Sequence, residues 1–267
     1  MTVFQAVVLG TLQGLAEFLP ISSSAHLSLA PLLFGWPAPG LAFDVSLHVG
    51  TLFALAWYFR REWIALASAA WSIVVTRRVR TLQQRRVIFL VVATIPAAIA
   101  GLLLEEHAET VFRAPEITAV ALIVLGVILW AVDRVMSERR ELDQVRWTDA
   151  VLIGIAQCFA LVPGVSRSGA TITAGRALGL DRSSAAVFSF LMSMPIIAAA
   201  AVLKVPEAVR ETGLSAPLLA GVLAAALSGW LAIAVLLRFV SRRSYATFAV
   251  YRVLLGVFVL WFIHGRG

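Results

Sequence analysis

The sequence predicts an all-α polytopic membrane protein. Six transmembrane helices and two re-entrant helix–break–helix hairpins are expected, arranged as inverted-topology repeats. Three observations lead there. The 267 residues are 60% hydrophobic and 14% charged, with a mean hydropathy of +0.90, against roughly 45–50% apolar and about 25% charged in soluble domains. The apolar runs are separated by short loops that alternate between arginine-rich and acidic or mixed. Two further runs are interrupted by Pro and Ser, and each holds a solitary charge. Glu17 is the only formally charged side chain in the first 43 residues, and Arg167 is alone between Asp149 and Arg176.

The elements follow in chain order. Residues 3–19 run into Pro20 and a serine cluster, and a second short run follows at 25–34. A half of about 13 residues reaches only about 20 Å, short of the roughly 30 Å hydrocarbon core. This region is therefore a hairpin that enters and leaves on one side. Broken backbone at membrane depth survives only where protein buries it or where it lines a cavity. Spans are expected at 41–59, 86–104 and 117–132, the third short and extended by its flanks. The weaker stretch at 63–75 extends a neighbouring helix or lies at the interface. Residues 148–162 run into Pro163-Gly164, with a short run following at 168–180, and form the second hairpin. Spans at 184–203, 217–237 and 246–263 complete the chain.

Loop charge sets the orientation, because cytoplasmic loops carry the excess of Lys and Arg. The loop at 60–85 is basic and inside. The loop at 105–116 carries Glu105, Glu106, Glu109 and Glu116 against Arg113 and is outside. The loop at 133–147 is basic and inside, 204–215 is mixed and assigned outside, and 238–244 is basic and inside. Both termini come out on the outer face. A hairpin plus three spans, repeated, inverts the second half relative to the first. The first hairpin dips from outside and the second from inside. The halves also echo each other: GTLQGLAEFLP at 10–20 resembles GIAQCFALVP at 154–163, and a serine cluster follows each. The organisation is one integral membrane domain over 1–267, with repeat one at about 1–133 and repeat two at about 147–264. Substrate sites in such folds form near the midplane at the repeat interface.

Composition also excludes functions. The net charge is +7 and Lys204 is the only lysine. The arginines cluster between apolar runs, which is the signature of loop orientation and not of nucleic-acid binding. Cys158 is the only cysteine, so no intramolecular disulfide and no cysteine metal cluster can form. Its role is that of a small apolar packing residue. The N-terminus has no basic stretch and no small-residue cleavage site, so no removable signal peptide is expected.

An ionisable side chain at membrane depth is a functional-site hypothesis by default, and its partner must be sought. Here the partner of each solitary charge is the other half of the chain. Gln13 and Glu17 are four apart and share a helix face. An amide oxygen beside a carboxylate suits a hard divalent cation completed by water and substrate phosphate. Ser22, Ser23, Ser24 and His26 follow Pro20. At least one of these serines caps the second half-helix. Ser23 and His26 are three apart, and a nucleophile beside an acid–base group is the minimum kit for covalent phosphoryl or acyl transfer. In the second hairpin, Pro163-Gly164-Val165-Ser166-Arg167-Ser168-Gly169-Ala170-Thr171 combines glycines that let backbone approach a ligand with a half-helix start that binds anions. Arg167 adds a fork that matches phosphate, and Ser166, Ser168 and Thr171 add hydroxyls. The kit suits hydrolysis of a phosphorylated or diphosphorylated lipid.

These residues also carry a family resemblance. Gln13-Gly14-Leu15-Ala16-Glu17-Phe18-Leu19-Pro20-Ile21-Ser22-Ser23-Ser24-Ala25-His26 resembles the (E/Q)xxxE-F-L-P-[VI]-S-S-[ST]-[GA]-H region of the bacterial undecaprenyl-diphosphatases, the bacitracin-resistance family. Residues 163–171 are similar to that family's PGxSRSxxT motif. Phe188-Ser189-Phe190-Leu191 with Pro195 resembles its next helix, and the match runs end to end. The resemblance implies dephosphorylation of undecaprenyl diphosphate to the monophosphate, recycling the lipid carrier for peptidoglycan and other envelope polymers. It implies a multi-pass protein of the bacterial plasma (inner) membrane with its site toward the outer, periplasmic face. It places catalysis on Glu17, Ser23, His26 and Arg167, and diphosphate binding on Ser166, Arg167, Ser168 and Thr171. Gln13 and Glu17 would hold Mg²⁺ or Ca²⁺. Gln13 occupies the family's first acid position, where an amide binds a cation more weakly than a carboxylate. The nucleophile stays open between His26, Ser23 and water, with His26 favoured, acting directly or activating Ser23. The expected partners are a polyprenyl diphosphate lipid and the bilayer, with no nucleic acid, and a homodimer is compatible with the chain. The rivals are a lipid transporter or flippase of the same architecture and an intramembrane serine protease using Ser23 and His26.

Overall fold

A computed structural model describes residues 1–37, 39–109, 114–137 and 140–265. Part of the acidic loop, residues 110–113 with Arg113, lies outside the described residues, as do Arg139 and the side chains of Glu105, Glu106, Glu109 and Lys204. Among the described residues there are eleven α-helices and no strand. They are α1 (Val3–Phe18), α2 (Ser23–Phe34), α3 (Leu41–Tyr58), α4 (Arg60–Thr76), α5 (Leu82–Glu109), α6 (Pro115–Val135), α7 (Trp147–Cys158), α8 (Arg167–Ala177), α9 (Arg182–Thr212), α10 (Ala216–Val240) and α11 (Ala246–His264). The protein is an all-α polytopic membrane protein. Segments of α5, α6, α9, α10 and α11 are each long and apolar enough to cross a bilayer. The remaining expected span is α3, which carries Asp44 and His48 in its first half. It packs inside the bundle, against α9 and α10. The stretch at 63–75 neither prolongs α3 nor merges with α5. It is a helix of its own, α4, joined to α3 at Phe59 and packed on α5.

Both interrupted regions are helix–break–helix elements. In the first, α1 ends at Phe18 and α2 restarts after Ser22. In the second, α7 passes through a 3-10 turn at Phe159–Leu161 before α8 starts after Ser166. The two restarts are built alike. Ser22 and Ser166 hold φ of +74° and +70°, a region costly for residues other than glycine. Each offers its Oγ to the N–H three residues on, Ala25 and Gly169 respectively. The sequence echo between the halves is thus also an echo of backbone conformation.

Helix pairing follows a two-fold pattern. The first hairpin's α1 lies along α10, and the second hairpin's α7 lies along α5. In the repeat numbering, α10 is to the second half what α5 is to the first. The helices α3 and α9, and likewise α6 and α11, pair with their own counterparts. Small residues permit the close approach, as in membrane helix packing generally. A Cβ added at Gly10 would sit 2.1 Å from the Gly221 carbonyl oxygen, and one at Gly154 would sit 2.6 Å from that of Ala93.

Two buried arginines tie the elements together. Arg252 on α11 donates to the carbonyls of Pro20 (3.1 Å), Gly164 (2.8 Å), Val165 (2.9 Å) and Leu122 (3.3 Å). It therefore closes the broken ends of both hairpins at once. Arg176 on α8 donates to Asp133 at 2.9 Å and to the carbonyls of Leu180 and Met136. Asp133 also accepts from Arg182 and from the Tyr245 N–H. That cluster fixes α6, α8, α9 and the start of α11 at the arginine-rich end of the bundle.

Candidate active site

The two hairpins meet at their breaks. Gly164 N–H donates to Ser22 Oγ at 3.2 Å, and Ser168 Oγ donates to the Leu19 carbonyl at 3.1 Å. The first hairpin thereby delivers Glu17 to the Arg167 of the second. Glu17 is buried and its carboxylate is fully engaged. Oε1 pairs with the Arg167 guanidinium. Oε2 accepts from Ser23 Oγ at 2.7 Å and from Gln13 Nε2 at 3.0 Å. Arg167 also points a second nitrogen at the Ser193 carbonyl, 3.4 Å away. A carboxylate at this depth needs such company, since an ion removed from water without partners costs several kcal/mol.

The expected residues divide into two groups. Glu17, Ser23, Gln13 and Arg167 come together around one carboxylate. His26 does not join them. Its Nδ1–H donates to the Ser22 carbonyl at 2.7 Å, which leaves Nε2 as the acceptor, and the Tyr251 hydroxyl donates to it at 2.6 Å. Ser23 is thus bonded to Glu17, and His26 to Tyr251. On the second hairpin, Ser166 caps α8 and lies 3.2 Å from Ser168 Oγ. Thr171 donates back to the Arg167 carbonyl at 2.8 Å and lies 2.7 Å from Ser189 Oγ on α9. These hydroxyls hold the loop that carries Arg167, and Ser189 is the polar residue of the Phe188–Leu191 run.

Three residues beside this group were not foreseen. His48 on α3 places Nε2 3.6 Å from Glu17 Oε2, while its Nδ1–H donates to the Asp44 carbonyl at 2.8 Å. Tyr251 and Arg252 on α11 support His26 and the hairpin breaks. All three lie within spans, and His48 and Arg252 carried the same signal as Glu17, an ionisable group at membrane depth.

The donor set fits a hard cation of modest affinity. Gln13 Oε1 is buried and has no hydrogen-bond partner among the described residues, so an acceptor oxygen is available within the same side-chain cluster. Glu17, bonded to the same Gln13 amide, and His48 Nε2, 3.6 Å from Glu17 Oε2, belong to that cluster. Among the described residues no group of three or more His, Cys, Asp or Glu could hold a metal. A cation here would therefore keep several waters and take further oxygens from a phosphorylated ligand.

The fold and this centre define a membrane-embedded protein in which two inverted hairpins bring a carboxylate, a hydroxyl and a guanidinium to one point. The family described as Bacitracin resistance protein BacA matches residues 6–258. The chain belongs to that family. It is 62% identical to the undecaprenyl-diphosphatase of Gemmatimonas aurantiaca over 97% of both chains. It is 50% identical to the undecaprenyl-diphosphatase of Geobacter sulfurreducens over the whole of both chains. A third relative, the undecaprenyl-diphosphatase of Moorella thermoacetica, is also 50% identical, over 97% of each.

Proposed function

We propose that this protein hydrolyses undecaprenyl diphosphate to undecaprenyl phosphate and inorganic phosphate. That activity returns the lipid carrier to peptidoglycan synthesis and accounts for bacitracin resistance. The observation that carries the chemistry is the shared carboxylate: Ser23 Oγ–H on one oxygen of Glu17 and Arg167 on the other. The names of the full-length relatives supply the substrate.

The geometry favours Ser23 as nucleophile and Glu17 as its base. Ser23 Oγ attacks the terminal phosphorus, and its proton passes to Glu17 Oε2. The bond to the bridging oxygen breaks, Glu17 delivers the proton to departing undecaprenyl phosphate, and the phosphoryl group remains on Ser23. Water then attacks that phosphorus. Glu17 takes the water proton and returns it to Ser23 Oγ as phosphate leaves. Arg167 moves from Glu17 to the phosphoryl oxygens, where a preorganised guanidinium stabilises developing charge. The resting ion pair thus keeps the empty site neutral and opens to admit a dianion. Mg²⁺ or Ca²⁺ bound by Gln13, Glu17 and His48 would neutralise further charge on the diphosphate. The site faces the outer leaflet of the plasma membrane, in keeping with the loop charges. A transporter without hydrolysis would leave the Ser23–Glu17 bond without a role.

Rapid acid quench during turnover of a terminally labelled polyprenyl diphosphate tests this. An acid-stable phosphoserine at Ser23, absent from Ser23→Ala, is expected. An acid-labile phosphoramidate would move the nucleophile to His26. No phospho-enzyme at all would assign the attack to water.

A further inference from the structure

His26 stands apart from the carboxylate cluster, yet both of its ring nitrogens are committed. Nδ1–H donates to the Ser22 carbonyl at 2.7 Å, and Nε2 accepts from the Tyr251 hydroxyl at 2.6 Å. The two rings are stacked, 6° from parallel with centroids 5.7 Å apart. A neutral imidazole has one donor and one acceptor, so no lone pair is left for attack on phosphorus. What the pair does instead is hold a peptide. Two hydrogen bonds run from α11, through His26, to the backbone of Ser22, and the next residue is Ser23.

Ser22 needs that hold. Its φ of +74° persists in a residue other than glycine only where the surroundings over-determine it. Its own cap is long: Oγ lies 3.4 Å from the Ala25 N–H and is shared with the Gly164 N–H at 3.2 Å. Helix α11 supplies the rest. Arg252 donates to the Pro20 carbonyl at 3.1 Å, and Tyr251, one residue earlier, reaches the Ser22 carbonyl through His26. The break is gripped on both sides of Ile21. The second restart is built differently. Its cap is shorter, 3.1 Å from the Gly169 N–H to Ser166 Oγ. The residue four beyond Ser166 is Ala170, which has no side chain to reach back as His26 does. The additional grip belongs to the restart that carries the hydroxyl bonded to Glu17.

We propose, resting on the reading of Ser23 as nucleophile and Glu17 as its base, that Tyr251 is a positioning residue for Ser23. Acting through His26, it fixes the Ser22 peptide and with it the direction of Ser23 Oγ, which lies 2.7 Å from Glu17 Oε2. Tyr251 touches neither substrate nor base in this role. An attacking hydroxyl must stay within hydrogen-bond reach of its base and in line with phosphorus. Misplacement by about 1 Å costs about 10²-fold in rate.

Tyr251→Phe removes the hydroxyl and keeps the stacked ring. In the purified full chain, turnover of a polyprenyl diphosphate should show kcat lowered about 10- to 10²-fold with KM within about twofold of the parent's. Tyr251 is 42% exposed, so the variant should melt close to the parent. In a His26→Gln background the same substitution should lower kcat no further, because the two residues act as one chain. Nitrogen NMR of isotope-labelled histidine gives a readout independent of turnover. The His26 signals, assigned by their loss in His26→Gln, should shift at Nε2 in Tyr251→Phe while Nδ1 keeps its proton. An unchanged kcat, a raised KM alone, multiplied losses in the double variant, or an unmoved Nε2 signal each overturn the proposal. Faster turnover by Tyr251→Phe with an acid-labile phospho-enzyme would show that Tyr251 masks a His26 nucleophile, and would overturn it too. Acid quench of the parent separates the two levels. Phosphoserine at Ser23 with an unchanged kcat in Tyr251→Phe overturns the positioning role alone, whereas no phosphoserine in the parent overturns the reading of Ser23 on which that role rests.

Discussion

Glu17 carries more of the site than any other residue, and its variants separate chemistry from stability. Glu17→Gln keeps the shape and the bond from Gln13 but removes the base. Turnover should fall by about 10² to 10⁴, the usual contribution of a positioned general base, while binding of a nonhydrolysable diphosphate persists. The same change leaves the Arg167 charge without its partner, which costs about 3–5 kcal/mol at a buried pair. The double variant Glu17→Gln/Arg167→Gln should therefore melt higher in detergent than the sum of the single losses implies. Strict additivity in that cycle would show that the two side chains do not interact. Arg252 offers the complementary case, structure without chemistry. Arg252→Met strips donors from the carbonyls of Pro20, Gly164, Val165 and Leu122. Each buried acceptor left bare costs about 1–3 kcal/mol, so the protein should lose at least about 3 kcal/mol and its activity with it. A normal melting curve for Arg252→Met would refute the stapling role. These residues also show what was legible in the sequence. Glu17 and Arg167 announced themselves as lone charges far from any loop. Arg252 and His48 also lie within spans, but Arg252 follows Arg243 by nine residues and His48 follows Asp44 by four. Both were hidden by neighbouring charges that blurred the span ends. The partner of Ser23 could not be read at all, because sequence spacing favours His26 while the turn at Pro20 sends the hydroxyl back to Glu17.

The two hairpins depend on backbone contact, so their packing is sensitive at particular glycines. Gly10 faces the carbonyl of Gly221, and Gly14 faces Ser228 Oγ at 2.0 Å from a built Cβ. Gly10→Ala should push α1 off α10 and cost about 1–3 kcal/mol, the range for overpacking. Because α1 carries Gln13 and Glu17, turnover should fall as well. Gly101 on α5 has none of the described residues within 4 Å of an added Cβ, so Gly101→Ala should be neutral or slightly stabilising, alanine being the better helix former. Melting temperatures of the two variants in one detergent check the contrast, and equal shifts would count against the close α1–α10 contact. Most of the elements were legible, because hydropathy and length fix where a span falls. The breaks were legible too, since Pro20 and Pro163-Gly164 end helices in any context. The helix at Arg60–Thr76 was not. Its apolar stretch is too short to span and too long for a loop, and only its packing against α5 decides that it stands alone.

At the scale of the whole molecule, the pairing of α1 with α10 and of α7 with α5 argues for two halves related by inversion. That relation explains why one half supplies the carboxylate and the other the guanidinium. In such an arrangement each hairpin would enter from its own side, with the two breaks meeting between them as observed. Parity was legible in the loop charges, whereas the exchange of hairpins between halves was not, because it is a tertiary choice with no local signal. The orientation is testable with the chain's own composition. Cys158 is the only cysteine, so Cys158→Ala gives a thiol-free background. Single cysteines placed at Glu116 and Leu214 should react with a membrane-impermeant maleimide in intact cells. Cysteines at Arg77 and Arg243 should react only after the membrane is opened. All four positions are exposed in the structure, so silence at any of them reflects sidedness and not burial. Labelling of 116 and 243 from the same side would break the alternation, because α11 and the inverted second half could not then be threaded as the loop charges require. Labelling as expected would fix the Glu17–Arg167 centre in a bundle whose first hairpin opens outward. The diphosphate would then be cleaved on the side where the first hairpin enters, away from the arginine-rich end of the bundle.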